Sequence, residues 1–125
     1  ALEAVRSAQQ EGIVPGGGIA LIRAVTDLEV EVENNDQRLG VEIVFEAVKE
    51  PLRQMAFNAG KSPDILISLV EKAKFSHGIN FSTGKLVDML DAGIIDPVKV
   101  VRCALQNAAS VASTLITANH AIVVV

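Results

Sequence analysis

Aromatic residues are scarce in this chain of 125 residues, and so is positive charge. The chain has four Phe, no Trp and no Tyr, whereas proteins that bind single-stranded nucleic acid stack the bases on aromatic side chains. The net charge is -4 at pH 7, so the chain also lacks the positive field that attracts a phosphate backbone. We therefore expect no nucleic-acid partner.

The single cysteine and the two histidines exclude further kinds of site. Cys103 has no second cysteine with which to form a disulfide or a thiolate metal cluster. His77 and His120 lack metal-ligand spacing to Cys103 or to each other. The string VVRCALQNAA predicts a helix, so we expect Cys103 to be an inert buried thiol rather than a nucleophile. We predict no metal site and no catalytic residue in this chain.

Long apolar runs are absent as well. No apolar segment approaches the roughly 18 residues of a membrane span, and the N-terminal string ALEAVRSAQQEG lacks the apolar centre of a signal peptide. We therefore expect no membrane partner. The chain starts at Ala1, without Met, inside a predicted helix and stops on the apolar string AIVVV. We expect it to be a piece of a longer protein.

Helix signals dominate what the sequence does contain. Residues 1–11 predict a helix that stops at Gly12, and the string IALIRAV predicts a short buried helix after a triple glycine. The acidic string DLEVEVENND predicts a loop. Helical spacing of apolar residues returns from Gln37, is interrupted at Pro51 and continues to Gly60.

Capping signals predict the starts of two more helices. Ser62-Pro63-Asp64 combines a capping hydroxyl, a proline suited to the first turn and a carboxylate near the positive helix end. Asp96-Pro97 predicts the start of the last long helix by the same logic. The helix after Ser62 is predicted to bury Ile65, Leu66, Leu69, Val70 and Ala73.

Two β elements complete the predicted fold. The string HGINFSTGKLVDM places short β-tolerant pieces around Gly78 and Gly84 and predicts a small hairpin. The closing Ile122–Val125 is β-branched, which favours a strand that needs a partner strand. The predicted fold class is therefore mostly α, a helical bundle with a small β-hairpin and a C-terminal β-strand.

Three features could contact a ligand, and each has a structural alternative. The glycines 16–18 before a helix let backbone N–H groups approach an anion, or they form a simple turn. The amide of Asn80 suits the edge of a nucleobase, or it stabilises a hairpin turn. The carboxylate of Asp96 can accept hydrogen bonds from a ribose diol, or it caps the last helix. Residue types alone leave all three pairs of interpretations open.

Three segments of the sequence resemble segments of one known protein family, in the same order and at the same spacing. EGIVPGGGIALIRA resembles the segment EEG-V-x-GGG-x-ALIR of the group I chaperonins (the GroEL type). EAVKEPLRQMAFNAG resembles the A-x-x-x-P-L-R-Q-I-x-x-N-A-G helix of that family, and GINFSTGKLVDMLDAGIIDPVKVVRCALQNAAS resembles its stretch from G-F-N-A-A to ALQ-x-AAS. The order and spacing hold along nearly all 125 residues.

This resemblance implies a domain assignment and a function. Residues 1–11 resemble the end of the intermediate-domain helix, and residues 12–125 resemble the C-terminal half of the equatorial, ATP-binding domain. The family is an ATP-dependent molecular chaperone that assists protein folding inside stacked seven-membered rings. The implied cofactor is ATP or ADP with Mg²⁺, and the implied partners are like subunits, a co-chaperonin and unfolded proteins. The implied location is the bacterial cytoplasm or an organelle interior.

The resemblance also implies a nucleotide-binding set, made of Gly16, Gly17, Asn80, Phe81, Ser82, Ile94 and Asp96. In this set the glycines lie against the nucleotide, the hairpin residues and the isoleucine contact adenine, and the aspartate binds the ribose hydroxyls. Phe81 and Ser82 replace two alanines of the family pattern. The phenyl ring would either stack on adenine or crowd it.

Several parts of the family pattern have no counterpart in the chain. These are the phosphate-gripping Asp-Gly-Thr-Thr-Thr loop, the apical domain, and the catalytic aspartate that orients the attacking water, which by the resemblance would stand immediately before Ala1. Because phosphoryl transfer depends on positioning and charge stabilisation around phosphate and Mg²⁺, we expect weak nucleotide binding and no ATP hydrolysis from this chain alone. The alternatives are a non-enzymatic helical protein-interaction module and a complete small nucleotide-binding protein, which would need its own phosphate grip.

Overall fold

A computed structural model describes all residues, 1–125. The chain forms six helices and four short strands, so the mostly helical class is confirmed. It divides into two compact units, one made of residues 13–96 and the other of residues 1–12 with 97–125. None of the helices combines the length and the apolar character that crossing a membrane demands.

The unit that holds both termini is built from two helices. Helix α1 (Leu2–Glu11) ends at Gly12, whose φ of 87° is a left-handed conformation that favours glycine, and this confirms the predicted stop. Helix α6 (Val98–Ile116) packs against α1. The guanidinium of Arg102 donates to both carboxylate oxygens of Glu11 at 2.8 Å each. This bidentate pair links the end of α1 to the first turns of α6.

The predicted C-terminal strand is not formed. Residues 118–125 contain neither helix nor strand, and the side chain of Ile122 is 98% exposed. A β-branched segment becomes a strand only when another backbone accepts and donates its ladder hydrogen bonds. The strand that local propensity predicts for Ile122–Val125 is therefore wrong.

The expected burial of Cys103 is also wrong, since this residue is half-exposed on α6.

The other unit contains four helices and the main core. These helices are α2 (Ala20–Thr26), α3 (Asn35–Ala47), α4 (Glu50–Asn58) and α5 (Pro63–Lys72). The buried cluster consists of Ile19, Ile22, Leu52, Ala56, Leu66, Ile67, Val70, Ile79 and Met89. Residues 27–34 between α2 and α3 are a loop, as predicted.

The helix boundaries follow from their capping residues. The side chain of Asn34 accepts a hydrogen bond from the backbone N–H of Gln37 at 2.9 Å and so starts α3. The helix breaks at Val48 and Lys49 because Pro51, which has no N–H, must sit in a first turn, and α4 begins there. The predicted interruption is confirmed.

Helix α5 starts at Pro63 as predicted, but two details differ. Ser62 makes no side-chain capping bond, and the carboxylate of Asp64 instead accepts a hydrogen bond from Arg53 at 2.8 Å. The buried stripe contains Leu66, Ile67 and Val70, while Ile65 and Leu69 are exposed. The buried face of α5 is therefore rotated by about one residue relative to the predicted face. The reason is that α5 packs against α4 and β2, and these contacts determine which side chains are buried.

Four short strands form two separate pairs. Strand β2 (His77–Asn80) runs antiparallel to β3 (Lys85–Asp88), with His77 opposite Asp88, which confirms the hairpin. Strand β1 (Ile13–Pro15) pairs with β4 (Ile95–Pro97), and the sequence did not predict this pair. The pairing brings the entry of the triple-glycine loop beside the segment that follows Ile94.

A buried arginine fixes the loop that leads into the hairpin. The side chain of Arg23, on α2, is only 8% exposed. Its guanidinium donates to the backbone carbonyl oxygens of Phe75 at 2.9 Å, Lys74 at 3.0 Å and His77 at 3.0 Å. Burial lowers the pKa of Arg23, but an arginine keeps its charge in proteins. The charge is therefore satisfied by three carbonyl dipoles.

The first prediction concerns this anchor. Substituting Arg23→Met should lower the free energy of unfolding by about 3 kcal/mol, since three carbonyls lose charged donors. The measurement is urea unfolding followed by circular dichroism. Arg38→Met serves as the control, because Arg38 is exposed and forms no ion pair, and should change stability by less than about 0.5 kcal/mol. Equal losses in the two variants would contradict the anchoring role.

Candidate functional site

The triple-glycine loop lies directly against Ile94. The backbone N–H of Gly16 donates to the carbonyl oxygen of Ile94 at 2.8 Å. A Cβ atom added at Gly16 would lie 3.1 Å from the carbonyl carbon of Ile94 and 3.2 Å from its Cγ2. The loop can approach this segment so closely because it carries no side chain at this point.

The next two glycines need both their conformation and their lack of a side chain. Gly17 and Gly18 have φ values of 74° and 79°. A Cβ at Gly17 would lie 2.5 Å from Cε of Met89 and 3.5 Å from the carbonyl oxygen of Ile79. A Cβ at Gly18 would lie 3.0 Å from the backbone nitrogen of Leu52 on α4. The loop is therefore pressed between the hairpin and α4.

The amide of Asn80 stabilises the hairpin turn and keeps donor capacity. Its Oδ1 accepts a hydrogen bond from the backbone N–H of Ser82 at 3.0 Å, and its main-chain oxygen accepts from Gly84 at 2.7 Å. The turn role that the sequence suggested is thus present. Because this role uses only the oxygen end, the side-chain NH₂ group can still donate to a ligand.

The other two hairpin residues of the predicted set differ in burial. Phe81 is half-buried and packs against the main core cluster. Ser82 is exposed at the turn between β2 and β3. The ring of Phe81 is thus held partly by the core and partly faces solvent, whereas Ser82 offers its hydroxyl group at the surface.

Asp96 is not the cap of the last helix. It lies in strand β4, and the N-cap position of α6 is Pro97, with no side-chain capping bond. The capping interpretation is therefore wrong, because the extended backbone of β4 places the carboxylate one residue before the cap. Asp96 is half-buried and takes part in none of the ion pairs. Its acceptor capacity is left for another partner.

Ala1 and Glu3, at the start of the chain, make local contacts. Ala1 is exposed and is the N-cap residue of α1, where it makes no side-chain capping bond. Its carbonyl oxygen accepts a hydrogen bond from the backbone N–H of Val5 at 3.1 Å. The nearby carboxylate of Glu3 is exposed and pairs with Arg6 at 3.2 Å. The place of the water-orienting aspartate before Ala1 stays a prediction from the family pattern.

The fold brings the glycine loop against Ile94 and against the hairpin strand that ends at Asn80. Gly16 contacts Ile94, and Gly17 contacts Met89 and Ile79, the residue just before Asn80. The backbone N–H of Ile94 donates to the carbonyl oxygen of Met89 at 2.8 Å. The glycine loop, the hairpin and the start of β4 therefore meet at one place, although they are far apart in the sequence.

Sequence reasoning missed Met89 and Asp88 in this arrangement. Met89 is fully buried beneath Gly17. Asp88 accepts hydrogen bonds from the backbone N–H groups of Leu90 and Asp91 at 3.0 and 3.2 Å and from the Ser76 hydroxyl at 2.9 Å. The string VDMLDAG did contain an Asp, a residue that commonly forms an Asx turn by accepting a hydrogen bond from the backbone N–H two residues on, here that of Leu90.

The hydrogen bonds to Asp88 have an electrostatic consequence. The backbone N–H of Asp91, and then the Ser76 hydroxyl, hold the pKa of the Asp88 carboxyl below its ordinary value. Both groups favour the charged form of the carboxyl. Asp88 therefore fixes the turn that leads from β3 to Ile94 while it is ionised.

A cavity is lined by other residues of the same unit. It measures about 570 Å³ and is lined by Ile22, Val25, Thr26, Glu42, Phe45, Glu46, Lys49 and Glu71. None of the predicted nucleotide-binding residues lines it. No group of three His, Cys, Asp or Glu side chains in the chain is placed to hold a metal ion.

Two comparisons relate this arrangement to known proteins. The model of the TCP-1/cpn60 chaperonin family matches residues 1–124. A crystal structure of a group III chaperonin in the open state superposes with a TM-score of 0.77 over 93% of this chain, at 31% sequence identity. The matched part makes up 25% of that chaperonin chain, so the present chain spans a quarter of its length.

The second prediction ranks three alanine substitutions. Gly60→Ala, at a φ of 68° with no atom within 4 Å, should cost about 1 kcal/mol for the left-handed conformation alone. Gly17→Ala should cost more, because its Cβ displaces the end of Met89, and Gly18→Ala should cost most, because its Cβ meets the backbone of α4. Chemical denaturation measures the order. Equal costs at all three positions would show that the loop is not pressed against its neighbours.

The third prediction concerns acid stability. Since the pKa of Asp88 is lowered on folding, the carboxylate stabilises the fold above its unfolded pKa of about 3.9, and this contribution disappears as the pH falls through the lower folded value. Asp88→Asn should therefore reduce stability at pH 7 and lose less stability between pH 7 and strong acid than the wild type does. Melting temperatures measured across that range test this. Asp91→Asn, at an exposed carboxylate, is the control and should follow the wild-type profile.

Proposed function

Because the chain belongs to the TCP-1/cpn60 chaperonin family, we propose that it works as part of an ATP-dependent molecular chaperone. Family membership supports the chaperone function. The observation that carries the nucleotide site is the meeting of the glycine loop with Ile94 and the hairpin, beside a carboxylate, Asp96, that caps no helix. In this proposal the chain supplies base and ribose contacts to the nucleotide.

Each residue of the site has a chemical task in this proposal. The half-buried side chains of Ile94 and Phe81 give an apolar surface for the adenine ring, and the NH₂ group of Asn80 donates to a ring nitrogen. The carboxylate of Asp96 accepts hydrogen bonds from both ribose hydroxyls, for which its two oxygens are suited. Gly16 and Gly17 hold the backbone of the loop at this place, because a Cβ at either position would come too close to Ile94 or Met89.

The nucleotide would be ATP or ADP with Mg²⁺ in the whole protein. Its hydrolysis supplies the free energy that drives a chaperone cycle. No residue of this chain is assigned to the hydrolysis step, and no grip for the phosphates or Mg²⁺ is assigned here. The chain's own contribution is binding and orientation, through the apolar base contacts and the carboxylate.

The partners proposed for the whole protein are like subunits in stacked rings, a co-chaperonin and unfolded proteins. Exposed apolar side chains support contacts with other chains, since large exposed apolar patches mark interaction sites. On α6 and after it these side chains are Val111, Leu115, Ile116 and Ile122–Val125. Assembly in seven-membered rings, membership of group I rather than group III, and a location in the bacterial cytoplasm or an organelle interior stay predictions.

The same apolar side chains support a second candidate function. A non-enzymatic helical interaction module would use the exposed side chains of α6 to bind a partner protein and would not respond to nucleotide. The two candidates therefore differ in one measurable property, the effect of nucleotide on the folded chain.

The fourth prediction tests the nucleotide site directly. ADP at millimolar concentration should shift amide signals of the glycine loop and the hairpin in a ¹⁵N-labelled chain. Asp96→Ala should weaken ADP binding about tenfold, because hydrogen bonds to a charged group contribute about 1.5–3 kcal/mol. Asp91→Ala, the matched control at an exposed carboxylate five positions away along the same segment, should leave binding unchanged.

A second readout compares thermal melts with and without Mg-ATP and Mg-ADP. The chain is measured alone and mixed with the N-terminal equatorial segment of a chaperonin. A ligand that binds only the folded state raises the melting temperature. A cooperative melt that ignores nucleotide in both samples, together with unmoved amide signals, would refute the nucleotide site and favour the interaction module.

A further inference from the structure

Met89 contacts three segments of the proposed site, which are the glycine loop, the hairpin and the residue Ile94 before β4. It is fully buried and follows the end of β3. Its backbone N–H donates to the carbonyl oxygen of Ser76 at 2.9 Å, and its carbonyl oxygen accepts from the N–H of Ile94 at 2.8 Å. The main chain of Met89 is therefore fixed between the residue before the hairpin and the apolar residue at the glycine loop.

Two glycines make room for the side chain of Met89. A Cβ at Gly17 would lie 2.5 Å from Cε of Met89, and a Cβ at Gly78 would lie 3.1 Å from its Cγ and 3.0 Å from Cγ2 of Ile19. Gly78 is not among the glycines with positive φ, so its backbone conformation would accept alanine. Space for Met89 and Ile19 is thus the physical reason for glycine at this strand position.

We propose that Met89 is a positioning residue for nucleotide binding. From the core side of the proposed site, its side chain sets the distance between the glycine loop and the hairpin. Its Cε supports the loop at Gly17, and its Cγ lies against the hairpin at Gly78, so the side chain separates two sides of the proposed site. Being buried, Met89 acts through Gly17 and touches no ligand. This inference rests on the proposed nucleotide site, and it names a residue that the family resemblance did not assign.

The test is a double-mutant cycle between residues 89 and 17. Met89→Leu keeps the volume but deletes the atom that corresponds to Cε, and such swaps are usually well tolerated. ADP affinity is measured by amide-signal titration at a temperature where every variant is fully folded. Met89→Leu should weaken ADP binding about threefold to tenfold, because the loop loses its support and pre-organisation.

The cycle should also show coupling of a definite sign. Gly17→Ala should destabilise the wild type more than it destabilises the Met89→Leu background, since the leucine leaves room for the new Cβ. Met55→Leu is the matched control: Sδ of Met55 lies 3.3 Å from a Cβ built at Gly18, not at Gly17. Its effect on stability should add to that of Gly17→Ala without coupling.

The outcomes separate this inference from the proposed function. Weaker ADP binding by fully folded Met89→Leu, with coupling to Gly17→Ala, supports the positioning role. Unchanged ADP affinity in Met89→Leu, when Asp96→Ala does weaken binding, overturns the inference and leaves the proposed function intact. Additive stabilities in the cycle overturn the contact on which the inference depends. If the wild type binds no ADP, the proposed function fails and the positioning role fails with it.

Discussion

The close contact between the triple-glycine loop and the segment from Met89 to Ile94 is the constraint on which the rest of the larger unit depends. The loop donates a backbone hydrogen bond to Ile94 and covers the end of Met89. Both contacts require a main chain without side chains, and Gly17 in addition has a left-handed conformation that other residues adopt only at a cost. Strand β1 precedes this loop in the chain and helix α2 follows it. The same contact therefore fixes where β1 pairs and where α2 starts.

Each unit also relies on one arginine, and the two arginines work in different surroundings. Arg23 is buried and bonds three carbonyl oxygens, so removing it would leave buried acceptors unpaired. Arg102 is partly exposed and pairs with Glu11 through two hydrogen bonds. Solvent screens the second pair, so its contribution to stability is smaller, although the bidentate geometry still orients α1 on α6.

The proposed site shows how structural and binding roles share the same residues. Asn80 uses its oxygen in the hairpin turn and retains its NH₂ donors. Ile94 contributes its main chain to the loop contact and its half-buried side chain to the surface. Hydrogen bonds and packing contacts that exist before a ligand arrives lower the entropy lost on binding. The amide, the carboxylate and the apolar side chains of the proposed site would suit a base and a ribose.

The sequence by itself determined the elements whose signals are local. These are the stop of α1 at Gly12, the break before Pro51, the start of α5 at Pro63 and the hairpin around Asn80, each fixed by backbone chemistry within a few residues. The family strings supplied the candidate site residues. Only the tertiary structure decided which face of α5 is buried, that Asp96 lies in β4 rather than at a cap, that Met89 supports Gly17, and that the terminal valines form no strand. Those outcomes depend on contacts between segments that are distant in the sequence. The local sequence around a β-branched segment or a carboxylate does not specify which partner it will contact.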